Sequence, residues 1–253
     1  MTEKKFLEFV SIMRRLRKEC PWDREQTHDS IKAATLEEAY EVVHAIDEKD
    51  FSELKKELGD LLLHIAFHSV LAEESGAFTI DDVIDSISAK LIRRHPHVFG
   101  NVEVENNDDI MRNWESIKLQ EGRKSVLEGI PSAMPALLRA FRVQEKASKV
   151  GFDWQNKKDV WDKVTEELEE LSEAESSKNQ TEVEEEFGDL LFSLVNYSRF
   201  ITVNPENALR NSTKKFEERF KYIEEQLSLQ GKSVIEATFE EMDELWNQSK
   251  KEL

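Results

Sequence analysis

The feature that most constrains this chain is an acidic helical pattern that occurs twice at a fixed spacing. TLEEAYEVVHA at 35–45 aligns with VTEELEELSEA at 164–174, and ELKKELGDLLLHI at 53–65 aligns with EVEEEFGDLLFSL at 182–194, both at an offset of 129 residues. Glu38 and Glu57 are 19 residues apart, as are Glu167 and Glu186. Downstream, KLIRR at 90–94 matches KFEER at 215–219, and NWESIK at 113–118 matches LWNQSK at 245–250. A repeat in which several motifs keep their order requires both halves to build the same supersecondary unit. The chain reads as a tandem duplication.

Within each copy the apolar residues recur at helical spacing. Phe6, Phe9, Val10, Met13 and Leu16 predict a helix over 4–18. Further helices are expected from the capping residues Thr27–Ser30 to about 48, over 51–74, from Thr79 to Arg94 before Pro96, and over about 107–121. The stretch GRKSVLEGIPSAMP (122–135) predicts a linker. Helices resume over 135–148, 157–177, 181–202, 205–229 and 233–251. No alternating strand pattern is present, and 8 Gly with 5 Pro among 253 residues are few turn residues for a sheet protein. The expected fold is all-α, with an N-terminal repeat at 1–121, a linker at 122–135 and a C-terminal repeat at 136–253.

The helix 51–74 presents a chemical problem. Glu57, Asp60, His64 and His68 share one narrow stripe, while Leu58, Leu61, Leu62, Leu63, Ile65, Ala66 and Phe67 cover nearly everything else. A helix that apolar is expected to be buried on most sides, so its acids must face a pocket, a partner or a metal. In the copy, Glu186, Asp189, Ser193 and Asn196 form the stripe. The duplication keeps the acids and relaxes the histidines. On the facing helix Glu38 and Glu41, and likewise Glu167 and Glu170, are one turn apart and lie on one face.

Clustered carboxylates repel one another unless protonated or neutralised by a cation. Four oxygen donors without Cys suit Mg²⁺, or Mn²⁺ in its place, better than zinc. Mg²⁺ completes its shell with water and phosphate oxygens. The pairs Lys215/Arg219 and Trp246/Lys250, matched by Lys90/Arg94 and Trp114/Lys118, offer cations for phosphates and rings for a base.

A net charge of −18 argues against a general nucleic-acid partner. The single Cys20 fits a reducing compartment. No apolar run approaches membrane-spanning length and no signal-peptide core is evident, so no membrane association and a cytoplasmic location are expected.

These motifs together resemble the all-α nucleoside triphosphate pyrophosphohydrolases. CPWDREQTHDSI (20–31), LEEAYEV (36–42), ELGDLLL (57–63), RRHPHVFG (93–100), GFDW (151–154) and EEMDELWNQSK (240–250) are similar to the tandem-repeat MazG family over essentially the whole chain. The resemblance implies four-helix-bundle units assembled by dimerisation, a homodimer, and hydrolysis of a nucleoside triphosphate to monophosphate and pyrophosphate, with broad specificity in clearing nucleotide pools. It implies Mg²⁺ on Glu167, Glu170, Glu186 and Asp189, with Glu166 assisting the attacking water. Lys163, Glu166, Glu167, Glu186, Asp189, Lys215, Arg219, Trp246 and Lys250 would bind the nucleotide. The matching first-copy positions are Glu37, Glu38, Glu41, Glu57, Asp60, Lys90, Arg94, Trp114 and Lys118. Lys163 lies one turn before Glu167, whereas its aligned residue is Ala34, so the second copy is expected to be the main active site.

Three other readings compete. A narrower dUTP or phosphoribosyl-ATP pyrophosphohydrolase would share the chemistry. A ferritin-like di-metal oxidase would need two Glu-x-x-His motifs, and only Glu41-Val-Val-His44 supplies one. A non-catalytic helical interaction module would leave the acids as solvated surface charge.

Overall fold

The computed structural model describes residues 2–106, 109–110, 113–114, 117, 121, 125–177 and 179–252. Among them the protein is all-α, without strands. Six helices precede residue 100: α1 (Thr2–Glu19), α2 (Pro21–Glu25), α3 (His28–Asp47), α4 (Phe51–Glu74), α5 (Ile80–Arg94) and α6 (Pro96–Phe99). After residue 125 come α7 (Ala136–Ser148), α8 (Lys157–Ser177), α9 (Gln180–Phe200), α10 (Pro205–Leu229) and α11 (Phe239–Glu252). No helix among the described residues is long and apolar enough to cross a membrane.

Local chemistry sets the boundaries. Thr27 and Ser30 form a reciprocal capping box at the start of α3, and Thr79 and Asp82 do the same for α5. The Asp50 carboxylate accepts the amides of Ser52 (2.9 Å) and Glu53 (3.0 Å) at the start of α4. Gly76, at φ 69°, follows the end of α4 in a conformation that an L side chain rarely adopts.

The expected helices are refined at three places. α1 ends at Glu19 and α5 at Arg94, as expected, and Pro21 and Pro96 themselves open the short helices α2 and α6, because proline at the first helical position needs no N–H partner. The helix expected over 233–251 is two elements, a 3₁₀ turn Val234–Glu236 and α11, separated where Ala237 takes an extended conformation. The helix expected over about 107–121 falls largely outside the described residues, as does Lys118.

The chain divides into two units, residues 1–114 and 115–253. In the first, α3 and α4 form an antiparallel hairpin and α1 packs on α4. Met13, Ile31, Ala66, Phe67, Val70 and Leu71 make its core, with Phe9 and Leu63 against them. Each such aliphatic or aromatic side chain contributes about 1.5–3 kcal/mol when fully buried. Arg14 pairs with Glu73 (3.0 Å) and Arg17 with Glu74 (2.8 Å), fixing α1 along the C-terminal half of α4.

In the second unit α8 and α9 form the matching hairpin, with α7 against α9 and α10, and α11 against α10. Its apolar core lies between α10 and α11, around Ile223, Leu227 and Leu245. Residues 125–129, within the stretch read as a linker, belong to this unit: the buried Lys146 ammonium donates to the Glu128 carbonyl at 2.5 Å.

The expectation that the acidic, apolar helices are buried on most sides needs correction. Leu58, Leu62 and Ile65 on α4 are 50%, 39% and 43% exposed, and their counterparts Phe187, Leu191 and Leu194 on α9 are 53%, 40% and 40% exposed. Each hairpin covers one flank of its inner helix and leaves the other as an apolar stripe.

Candidate active site

The hairpin α8–α9 brings together acids that lie 19 residues apart in sequence. One carboxylate oxygen from each of Glu167, Glu186 and Asp189 lies within 4.8 Å of the others. Glu167 is buried, Glu186 half-buried and Asp189 exposed, so the group forms a graded opening to solvent. Glu170 stands one turn further along α8, outside this closest group but within reach of its field. Desolvation pushes its carboxyl above the ordinary value, Lys163 opposes the shift, and Glu167, Glu186 and Glu166 add to it.

Lys163 joins the group from one turn before Glu167. Its ammonium lies 2.7 Å from a Glu167 oxygen and 2.8 Å from a Glu166 oxygen, and these hydrogen bonds hold its pKa well above that of an ordinary lysine. Glu166 itself is exposed. Beside these charges lies a cavity of ≈ 680 Å³, a size typical of small-molecule sites. Lys163, Glu167 and Asp189 line one part of it, and Val143, Ala147, Val160 and Phe192 give it apolar walls.

The remaining expected nucleotide ligands gather elsewhere in the second unit. Lys215 and Arg219 lie on α10, Trp246 and Lys250 on α11. The Arg219 guanidinium carbon is 5.4 Å from the centre of the Trp246 ring, a cation–π distance, and its Nε is buried without a hydrogen-bond partner among the described residues. Lys250 donates to the Asn247 side chain at 2.8 Å. None of these four residues lines the cavity. The structure therefore groups Lys163 with the acids, and groups the α10–α11 cations with Trp246.

The first unit repeats the carboxylates in a different setting. Oxygens of Glu38, Glu41 and Glu57 lie within 4.8 Å of one another, and Asp60 is outside that closest group. Glu57 is buried and its pKa is pushed up to about 7, first by hydrogen bonding with Glu53, then by desolvation and by Glu41. Desolvation, Glu41 and Asp60 raise the Glu38 carboxyl, against His64, whose Nε2 is 3.9 Å away.

Behind these acids the space is filled by hydrogen-bonded side chains. Thr35 Oγ1 donates to the Ile31 carbonyl (3.0 Å), so it accepts from His64 Nδ1 (2.9 Å) and His68 Nε2 (3.0 Å). His68 Nδ1 is then left to accept from His28 Nδ1, at 2.8 Å. Desolvation, followed by His28 and His64, holds the His68 pKa below its ordinary value, in keeping with that neutral tautomer. Glu37 lines a shallow groove on α3, Lys90 is exposed on α5, Arg94 is half-buried at its end, and Trp114 packs edge-on to His95 at 5.3 Å between ring centres.

Sequence reasoning named Asn196 in the acidic stripe but missed Gln144, Asp153 and Arg199 as residues of the second unit's cavity. Gln144, Asn196, Arg199 and Asp153 all line it. Gln144 carried a usable signal: it occupies the same face of α7 as Phe141 and Ala147, a polar residue at a core position.

Comparison with known proteins agrees with this architecture. A model of the MazG nucleotide pyrophosphohydrolase domain matches residues 26–99 and again 155–223, the two acidic hairpins with their flanks. Over 250 residues the chain is 51% identical to the nucleoside triphosphate pyrophosphohydrolase/pyrophosphatase MazG of Thermotoga maritima, covering 97% of this chain and 95% of that one. It is 42% identical over 252 residues to the nucleoside triphosphate pyrophosphohydrolase of Escherichia coli K12, covering 96% of each. With the nucleoside triphosphate pyrophosphohydrolase of Mycobacterium tuberculosis it shares 39% identity over 150 residues, 58% of this chain and 46% of that one. The chain belongs to the MazG nucleotide pyrophosphohydrolase family.

Proposed function

We propose that the protein hydrolyses nucleoside triphosphates to nucleoside monophosphates and pyrophosphate, and that the second repeat carries the reaction. The observation that supports this most directly is the meeting of Glu167, Glu186, Asp189 and Lys163 at the edge of a cavity of nucleotide size. The donor set fits a hard divalent cation: it is all oxygen, clustered, and partly shielded from water. Glu167, Glu170, Glu186 and Asp189 would hold Mg²⁺, with Mn²⁺ as a substitute. When bound, the ion supplies Lewis-acid charge for the phosphate chain and offsets carboxylate repulsion.

In the reaction a water oxygen bonds to the α-phosphorus and the bond from that phosphorus to the α,β-bridging oxygen breaks. Pyrophosphate leaves and one proton is released. Glu166, held by Lys163, is assigned to orienting the water. Lys163 stabilises charge developing on the phosphates. Lys215, Arg219, Trp246 and Lys250 are assigned to the nucleotide; the buried, unpartnered Arg219 Nε supports an anion-binding role. In the first repeat, Glu38, Glu41, Glu57 and Asp60 are a lesser candidate cation site, with Glu37, Lys90, Arg94, Trp114 and Lys118 as its outlying positions.

We assign the stripes Leu58/Leu62/Ile65 and Phe187/Leu191/Leu194 to pairing with a second copy of the chain. Exposed leucine and phenylalanine at one-turn spacing recur in both repeats, and two such stripes would complete a four-helix bundle.

The test is product analysis with a panel of ribo- and deoxyribonucleoside triphosphates, with and without Mg²⁺. Monophosphate plus pyrophosphate that requires the ion bears the proposal out. Diphosphate plus phosphate would exclude it, and turnover confined to one base would replace broad specificity with a narrow one.

A further inference from the structure

We infer that the first repeat binds a divalent transition ion of the Zn²⁺ type, with Nε2 of His64 as a ligand beside the carboxylates of Glu38, Glu41 and Glu57. This extends the lesser cation site assigned to that repeat and does not depend on the reaction assigned to the other.

Two atoms that can only accept hydrogen bonds face each other at this site. His64, on α4, is 9% exposed. Its Nδ1 donates to Thr35 Oγ1 at 2.9 Å, because the Thr35 hydroxyl proton is committed to the Ile31 carbonyl at 3.0 Å. In the neutral ring that leaves Nε2 with a lone pair and no hydrogen. Among the described residues Nε2 makes no hydrogen bond; it faces Oε1 of Glu38 at 3.9 Å, too far for one. A lone pair set against a carboxylate is repulsive, and a cation between them reverses the sign.

The distances suit one ion. Zn²⁺ bonds to nitrogen and oxygen are about 2.0–2.2 Å long, so two ligands of the same ion lie up to about 4.2 Å apart. The 3.9 Å between Nε2 and Glu38 falls inside that span. Oxygens of Glu41 and Glu57 lie within 4.8 Å of one of Glu38, and carboxylate rotation closes the remainder. The hydrogen bond to Thr35 is the outer support that ligating histidines usually have, since it fixes both tautomer and ring orientation. His68 does not compete, because its Nε2 donates to Thr35 and its Nδ1 accepts from His28.

The second repeat differs in the donor that matters. Ser193 is aligned with His64 and donates to the Leu190 carbonyl at 2.9 Å. All six histidines of the chain lie between residues 28 and 97. Carboxylates alone suit Mg²⁺, whereas an imidazole among them shifts preference toward Zn²⁺, Co²⁺ and Ni²⁺. The first repeat also has Ala34 where Lys163 supplies a fixed positive charge to the second. The two repeats would therefore select different ions.

The experiment follows the imidazole nitrogens of the full-length, ¹⁵N-labelled protein by NMR, after EDTA treatment, as Zn²⁺ or Mg²⁺ is added. Zn²⁺ is expected to shift His64 Nε2 and to leave the ring nitrogens of His28 and His68 near their starting positions. Mg²⁺ is expected to leave all three rings near theirs. A His64 signal that stays in place at saturating Zn²⁺ would overturn the inference, and so would movement confined to His28 and His68. Calorimetry provides a second readout, in a Glu167→Ala/Glu186→Ala background that disables the other acid group. There His64→Asn, which keeps an N–H toward Thr35 and removes Nε2, is expected to weaken Zn²⁺ binding about tenfold or more and Mg²⁺ binding by less than about threefold. Unchanged Zn²⁺ affinity would overturn the inference; should the variant not fold, the wild-type titration decides alone. Turnover enters neither measurement, so a failure here leaves the proposed hydrolysis standing, and a failure of hydrolysis leaves this result intact.

Discussion

The two repeats hold the same four carboxylates at the same spacing and resolve their repulsion in opposite ways. In the first, Glu57 keeps a proton to about pH 7 and shares it with Glu53 and Glu41. In the second, the ammonium of Lys163 sits 2.7 Å from Glu167. The surroundings differ to match. His64, His68, His28 and Thr35 close the first repeat with a hydrogen-bonded network, and Met13 fills the adjoining core. In the second repeat, Val164 and Ser193 stand where Thr35 and His64 would be, and a cavity of ≈ 680 Å³ opens beside the acids. Carboxylate spacing is set by the hairpin; the use of the carboxylates is set by what neutralises them and by the space beside them.

The largest effect that could break this comparison comes from the acids themselves. Glu167→Ala or Glu186→Ala is expected to cut kcat on the order of 10³-fold, because the cation loses an oxygen ligand from a site with few. Glu38→Ala or Glu57→Ala is expected to leave kcat within about twofold, since neither variant touches the proposed reacting site. Steady-state pyrophosphate release measures both. Equal losses from the two repeats would end the asymmetry.

Lys163→Ala comes next, with an expected loss of about 100-fold in kcat/KM. Ala34→Lys supplies the missing charge to the first repeat, yet the histidine network still fills the space beside it. No activity should return when Ala34→Lys is made in a Glu186→Ala background. Recovered turnover there would mean that the lysine alone distinguishes the copies.

Much of this architecture was legible in the sequence because it rests on periodicity. The helices α4, α8 and α10 begin and end where apolar spacing and caps put them. The carboxylate meeting was legible too, since i,i+3 spacing on paired helices leaves few arrangements. Three things were not. Pro21 and Pro96 start helices as readily as they stop them, and only the backbone on either side decides. The uncovered flank of α9 is a tertiary property, invisible in a helix whose composition alone suggests full burial. The bonding of the cavity residues Gln144 and Asn196 was not legible either, because their partners are an α9 carbonyl 48 residues away and an arginine one turn away. Residue identity does not encode that.

A smaller effect tests whether the repeats share a mode of assembly. Leu191→Glu places a carboxylate on the stripe assigned to pairing, where burial without a partner is unfavourable. Sedimentation should show a shift from dimer to monomer, and Leu62→Glu should do the same if both stripes are used. A shift in only one variant would assign pairing to that repeat, and no shift in either would remove the assignment.

The smallest effect concerns the proton on Glu57. Its folded pKa of about 7 lies above the ordinary carboxyl value of 4.5, so the folded state binds that proton more tightly than the unfolded chain does. The stabilisation is therefore complete below about pH 4.5 and is lost as the pH rises through about 7. In protein freed of divalent cations by EDTA, Tm should fall across that interval. Glu57→Gln keeps an N–H in place of the carboxyl proton at every pH, so its Tm should fall less, and the two curves should diverge toward alkaline pH. Parallel curves for Glu57→Gln and the wild type would show that the first repeat neutralises its acids by something other than a shared proton.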